Sequence, residues 1–251
     1  MGIIHMFNLS TMQWSCLIIS AILVGVSKTG ISGFLMPVIP IIASVFGGKE
    51  STGVILPILV VGDVFAVYYY NRHAKWENIK KLLPWTIIGL LLGVIVGNFI
   101  NDKQFKAVIS ISVLLCLVAL IYTEKKGGNI KVPTNKWFYA MAGIATGFTS
   151  MIGNAAGPIF SVYLLSMNFK KNDFMGTTAW FFFLVNLAKL PLQILFWQNI
   201  SFKTILLSIG MIPAIAVGAL LGMLMIKKIN EKNFRYIIII MTFIAAVRLL
   251  V

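Results

Sequence analysis

Apolar positions fall into long runs separated by short polar gaps, at about 13–27, 31–47, 51–70, 82–100, 107–123, 137–153, 155–169, 174–197, 204–226 and 236–251. An α-helix needs about 20 apolar residues to cross the hydrocarbon core of a bilayer. Most runs meet or approach that length, so the pattern predicts an all-α, polytopic membrane protein. Two places depart from it. Runs 13–27 and 31–47 are short and enclose Gly25-Val-Ser-Lys-Thr-Gly30-Ile-Ser-Gly33. Runs 137–153 and 155–169 enclose Gly147-Phe-Thr-Ser-Met-Ile-Gly153-Asn-Ala-Ala-Gly157-Pro158. Small and hydroxylated residues at such depth predict interrupted helices or hairpin tips, which survive only where protein or a wet cavity satisfies the freed backbone.

The chain also repeats itself. At an offset of 123, Ser27 meets Ser150, Gly30 meets Gly153, Gly53 meets Gly176 and Asp63 meets Asn186. At 129, Pro84, Gly89 and Gly93 meet Pro213, Gly218 and Gly222, and Asn101-Asp-Lys-Gln-Phe-Lys106 meets Asn230-Glu-Lys-Asn-Phe-Arg235. The change places about six extra residues between the third and fourth runs of the second half. We therefore expect two membrane repeats, 1–126 and 137–251, of four to five segments each, joined by a linker at 127–136.

Charge sets their relative orientation. If each half makes an odd number of crossings, the halves are inverted. Fifteen Lys and Arg then collect on one side and five on the other, with Lys189 inside a run. A parallel arrangement gives ten against nine. The positive-inside rule selects inverted repeats, each opening on a broken or re-entrant helix, with both termini outside. Trp14, Trp76, Trp85, Trp137 and Trp197 lie near run ends, where interfacial aromatics are expected.

Composition strengthens the membrane reading. Of 251 residues, 59% are hydrophobic and 11% charged, with mean hydropathy +0.93, whereas a soluble domain carries about 25% charged residues. The net charge of +14 would suggest nucleic acid in a soluble protein, but here the basic residues occupy gaps between spans, so no nucleic-acid partner is expected. The first thirteen residues hold no Lys or Arg, so a cleaved leader is not expected. Cys16 and Cys116 lie in apolar runs, and His5 and His73 in polar flanks. No metal-ligand spacing, phosphate loop or nucleophile–base pair is present, so neither an enzyme nor a cofactor is expected. Energy for transport would come from an ion or substrate gradient.

Interrupted helices in inverted repeats predict a midplane site, where half-helix N-termini hold anionic oxygens. The candidates are Ser27, Lys28, Thr29 and Gly30 in the first break, and Thr149, Ser150, Gly153 and Asn154 in the second. These small residues equally suit close helix packing. Asp63 and Lys189 sit within runs, where a charge costs about 2.5–3.5 kcal/mol on insertion scales and needs a cavity or partner. Lys189 and Asn186 are read as substrate-binding. Asp63 is read as a coupling group that carries a proton or pairs with Lys189 in one state. Against these stand a hydrogen-bonded buried carboxyl for Asp63, snorkelling for Lys189 and an inner-loop anchor for Lys28. Arg72, His73, Lys75 and Lys80 form either an anion funnel or a topological anchor.

At these residues the chain resembles the sulfite exporter TauE/SafE family. The resemblance rests on Gly25-Val-Ser-Lys-Thr-Gly30 with Pro37, Pro57 with Gly62-Asp63, and Arg72-His73 with Trp76, Pro84, Gly89 and Gly93. In the second half it rests on Gly147, Gly153, Gly157-Pro158 and Asn186-x-x-Lys189. It implies a multi-pass carrier of small sulfur-containing anions, such as sulfite, sulfonates or sulfoacetate, in the bacterial cytoplasmic membrane. Export by alternating access is expected, with a proton or other ion as coupling partner and a homodimer as one option. A non-transporting membrane scaffold and a passive organic-anion channel are the alternatives. One departure is Asn154-Ala155-Ala156-Gly157, where the family often carries paired glycines; Ala155 and Ala156 are expected to narrow the approach to the backbone and shift the substrate away from sulfite.

Overall fold

The computed structural model describes residues 9–30, 34–125, 136–165, 169, 171–228, 240, 243, 244 and 247. Among them every regular element is helical. In chain order these are α1 (Thr11–Thr29), α2 (Leu35–Phe46), α3 (Gly48–Tyr70), α4 (Trp76–Phe99), α5 (Asp102–Lys125), α6 (Lys136–Gly153), α7 (Gly157–Leu165), α8 (Lys171–Leu192), α9 (Phe202–Gly210) and α10 (Ile212–Lys228). A short tight turn, Asn71–His73, follows α3, and a wide turn, Gln193–Trp197, follows α8. Residues 127–135 of the expected 127–136 linker, the motif at 230–235 and most of the run at 236–251 lie outside the described residues.

Local chemistry starts and stops these helices. Ser10 caps α1: its hydroxyl accepts from the Gln13 N–H at 3.2 Å while the Gln13 side chain accepts from the Ser10 N–H at 2.9 Å. Ser201 opens α9 with a similar box to Thr204, so two of the free N–H groups at each start find partners. Gly47, at φ 95°, both ends α2 and starts α3, a left-handed turn that glycine adopts freely.

Among the described residues four helical stretches are long and apolar enough to cross a membrane: Thr11–Thr29, Gly48–His73, Trp76–Phe99 and Asn172–Trp197. The pair Phe202–Gly210 and Ile212–Met225, bent by 49°, passes together. By contrast the described parts of α2 and α7, with 12 and 9 residues, reach about 18 and 14 Å at 1.5 Å per residue. Each follows a nearly full-length helix. The burial pattern is that of a membrane protein: Ser, Thr, Asn, Asp63 and Lys189 lie inside while Ile87, Ile88, Leu91, Leu92 and Ile95 of α4 face outward. The chain is a polytopic, all-helical membrane protein.

Glycines set the closest helix contacts. On α1 and α10, Gly218 lies against Ile22, Gly25 against Ala219 and Gly30 against Gly222, so the two helices run parallel. On α4 and α6, Gly143 lies against Trp85, Gly147 against Thr86 and Gly93 against Met151, again in parallel. A Cβ at Gly25, Gly89, Gly147 or Gly218 would collide with a backbone carbonyl. Helices α3 and α8 run antiparallel, with Gly53 at Asn199, Asp63 at Asn186 and Gly176 at His73.

The interfacial expectation fails at one tryptophan. Trp76, Trp85 and Trp137 are exposed, but Trp197 is buried. Gly97 leaves a slot for its ring, Phe105 meets it edge-on at 5.4 Å, and its indole N–H donates to the Val94 carbonyl at 3.3 Å. A hydrogen-bond partner inside the protein replaces the lipid headgroup region that its position near a run end suggested.

Candidate functional site

The two breaks meet. A cavity of about 630 Å³, counting the space at its mouth, is lined by Ser27 and Lys28 from α1, Ser150 and Asn154 from the end of α6, Gly157 from α7, Leu59 and Asp63 from α3, and Phe182 and Asn186 from α8. Leu35, Phe174, Met175, Thr178 and Ala179 complete the wall. Six of these residues are pairs at the offset of 123: Ser27 with Ser150, Leu59 with Phe182, and Asp63 with Asn186.

A chain of charge and hydrogen bonds crosses this centre. Asp63 is 0% exposed, and its carboxylate pairs with the Lys28 ammonium at 2.5 Å. Its other oxygen accepts from the Asn186 amide at 2.6 Å. The Asn186 carbonyl in turn accepts from the Lys189 ammonium at 3.4 Å, which fixes the amide's orientation. Lys189 is also 0% exposed and donates to the Asn154 carbonyl oxygen and to the Ser150 hydroxyl, the latter at 3.5 Å. Two lysines and one carboxyl group thus share a buried network in a medium that penalises unpaired charge.

The backbone supports each group. Gly62 leaves room for the Lys28 stem and for Val24, and the Lys28 ammonium lies 5.2 Å from the centre of the Phe182 ring. Its side chain is 11% exposed, whereas that of Asp63 is fully buried. Asn154 takes φ 53°, a left-handed conformation that Asn tolerates better than most residues. The Asn154 N–H donates to the Ser150 carbonyl and the Ala155 N–H to Thr149, which closes α6 and turns the Asn154 side chain to Lys189.

The other sequence candidates have other settings. The Thr29 hydroxyl donates to the carbonyls of Gly25 at 3.0 Å and Ala219 at 2.8 Å, and the Tyr70 hydroxyl donates to the Thr29 carbonyl at 2.9 Å. Gly30 packs on Gly222, and Gly153 faces Ile109. These three serve helix packing rather than the cavity wall. Thr149 donates to Ala145 within its own helix. Lys189 does not snorkel; it sits behind Ser150, Asn154 and Asn186. Asp63 pairs with Lys28 rather than with Lys189. Ala155 and Ala156 are buried away from the lining, with the Ala155 carbonyl accepting from the Cys116 thiol, so their methyls do not narrow the cavity.

Sequence reasoning missed Phe174, Thr178 and Phe182. They lie on one face of α8 with Asn186 and Lys189, at spacings of four, four, four and three, and reading that face back from Lys189 would have found them. It also missed Asp173, which accepts from Lys75 at 3.0 Å and lies 3.7 Å from His73. That cluster ties the basic turn after α3 to the start of α8, with Trp180 donating to the Asn71 carbonyl at 3.4 Å. Among the described residues no three of His, Cys, Asp and Glu assemble as metal ligands.

Comparison with known proteins agrees with this architecture. No solved structure matches the chain. A 59-residue stretch is 37% identical to a protein of Paramagnetospirillum magneticum described as "Probable membrane transporter protein MamO", covering 24% of this chain and 8% of that one. The chain thus spans under a tenth of that relative's length. The model of the family described as sulfite exporter TauE/SafE matches residues 17–249, nearly the whole described core, and the chain belongs to that family of membrane transporters.

Proposed function

We propose that the protein moves a small sulfur-containing anion, of the sulfite, sulfonate or sulfoacetate type, across the bacterial cytoplasmic membrane by alternating access, in the direction of export. The observation that carries this reading is the shared cavity into which both broken segments project, with Lys28 at its wall and Lys189 behind it. The anionic head sits among Ser27, Lys28, Ser150 and Asn154, and an organic tail meets Leu59, Met175 and Phe182.

Two inverted repeats, 1–126 and 137–251, underlie the site. Support comes from the antiparallel course of α3 and α8, which correspond at the offset of 123, and from the parallel pairs α1–α10 and α4–α6. An anion that draws Lys28 away leaves Asp63, among the described residues, with only the Asn186 amide. A proton is the smallest cation that can replace the ammonium, so substrate and proton become coupled through Asp63.

Flux of labelled sulfite, sulfoacetate and taurine into proteoliposomes tests the proposal. Saturable, counterflow-competent flux of at least one anion is expected. Folded protein without anion-dependent flux would contradict it, and flux that never saturates would make it a passive channel.

A further inference from the structure

The cavity is one-sided. From the Asp63–Asn186 pair it follows three turns of α8 back to Phe174, and Phe174, Met175 and Thr178 are partly exposed at that end. This is the end tied to the basic turn through Asp173. At the offset of 123, Phe174, Met175, Thr178 and Ala179 correspond to Ser51, Thr52, Ile55 and Leu56 of α3. All four of these are buried, between 0% and 4% exposed. Ile55 packs in a cluster with Leu207 and Met211 at the bend between α9 and α10, and with Leu17 and Val38. Thr52 accepts from the Asn199 amide at 3.0 Å, and Gly53 lies against the Asn199 backbone.

The closed end carries a second sign. Both amide atoms of Gln193 and the carbonyl oxygen of Asn199 are buried without a hydrogen-bond partner among the described residues. Burying such groups without a partner is unfavourable, and water in an opened cavity would satisfy them. Gln193 also begins a wide, π-type turn, a feature frequent at functional sites.

We infer that Ser51, Thr52, Ile55 and Leu56 line a second vestibule for the same anion, opening on the opposite face of the membrane when the first closes, with α9 and the Asn199 turn as its cover. This rests on the transport reading above and adds to it the residues of the second pathway. The shared floor is the set of offset pairs Ser27–Ser150, Leu59–Phe182 and Asp63–Asn186. The cover is where the halves differ: α4 is one continuous helix, whereas α9 and α10 are bent at Met211 beside the six-residue insertion. That makes α9 the separately movable element.

Cysteine accessibility tests this in sealed proteoliposomes that also report flux. Cys16→Ser removes the partly exposed thiol, and the buried Cys116 stays as an internal unreactive control. Thr52→Cys, Ile55→Cys and Met175→Cys are then treated from either side with a membrane-impermeant thiol reagent. Met175→Cys is expected to label from one side, and Thr52→Cys or Ile55→Cys from the other. Because a minor state is about 0.1–10% populated, their labelling should be about 10- to 1,000-fold slower, and a gradient that holds the second state open should accelerate it. Retained flux in either α3 variant shows that it folds. Flux with labelling of both no faster than Cys116, or labelling from the same side as Met175→Cys, overturns the second vestibule while leaving transport standing. Loss of flux in the parent protein overturns both.

Discussion

The two broken segments share a backbone plan and differ in where they obtain their cation. In the first, Lys28 sits on the breaking helix itself and is held by a carboxylate from α3. In the second, the position corresponding to Lys28 is Met151, which packs on Gly93, and Lys189 arrives from α8 to neutral acceptors on Asn154 and Ser150. The first cation is therefore the counter-ion of a fully buried acid and reaches the cavity. The second is fixed behind the wall, bonded to neutral groups alone among the described residues. On the proposed duplicated scaffold the site is asymmetric, with a lysine that reaches the cavity on one side of the Asp63–Asn186 pair and a fully buried lysine on the other.

This difference has measurable consequences. The largest is expected for Lys28→Met, which strands the Asp63 carboxylate; breaking a buried pair in this way lowers stability by about 3–5 kcal/mol, read as thermal denaturation in detergent. Adding Asp63→Leu to Lys28→Met should restore most of that loss, because an apolar pair of similar volume is often neutral. If the double variant is no more stable than the single one, Asp63 is held by something other than Lys28.

Lys189→Met should act the other way round. It removes a buried cation without stranding an acid, so stability changes by no more than about 1–3 kcal/mol, while anion flux falls steeply. A loss of stability as large as that of Lys28→Met would erase the distinction between the two cations.

Smaller effects separate the backbones of the breaks. Asn154→Gly loses the acceptor for Lys189 but keeps the left-handed turn, whereas Asn154→Ala loses the acceptor and strains φ as well. The alanine variant is expected to be the less stable by about 1 kcal/mol, again by thermal denaturation.

The helices among the described residues and their order were legible because lipid imposes long apolar runs. Asp63 and Lys189 were legible because a charge inside such a run persists only with a partner or a cavity beside it. What joins them was not. Lys28 and Asp63 are 35 residues apart, and nothing in a linear pattern decides between Lys28 and Lys189 as the partner of Asp63; only the packing of α1 on α3, where Gly62 admits Val24 and the Lys28 stem, does. Phe174 and Phe182 were hidden because a side chain lining a cavity and one facing lipid are equally apolar. Trp197 misled for a related reason: a run end marks the interface only when no slot such as that over Gly97 lies nearby. Thr29 and Gly30 read as ligands because small residues serve anion contact and helix contact alike, and the deciding atom, the Ala219 carbonyl, lies 190 residues away.

The central claim is that Lys28 provides the exchangeable positive contact for an anion in the shared cavity. Equilibrium binding of labelled sulfoacetate to purified protein, with sulfite and taurine as competitors, addresses it without requiring turnover. The wild type should bind saturably, His73→Ala should bind equally well, and the folded fraction of Lys28→Met should bind about 10- to 150-fold more weakly, the loss of one charged hydrogen bond. Equal affinity in the wild type and Lys28→Met would contradict the account.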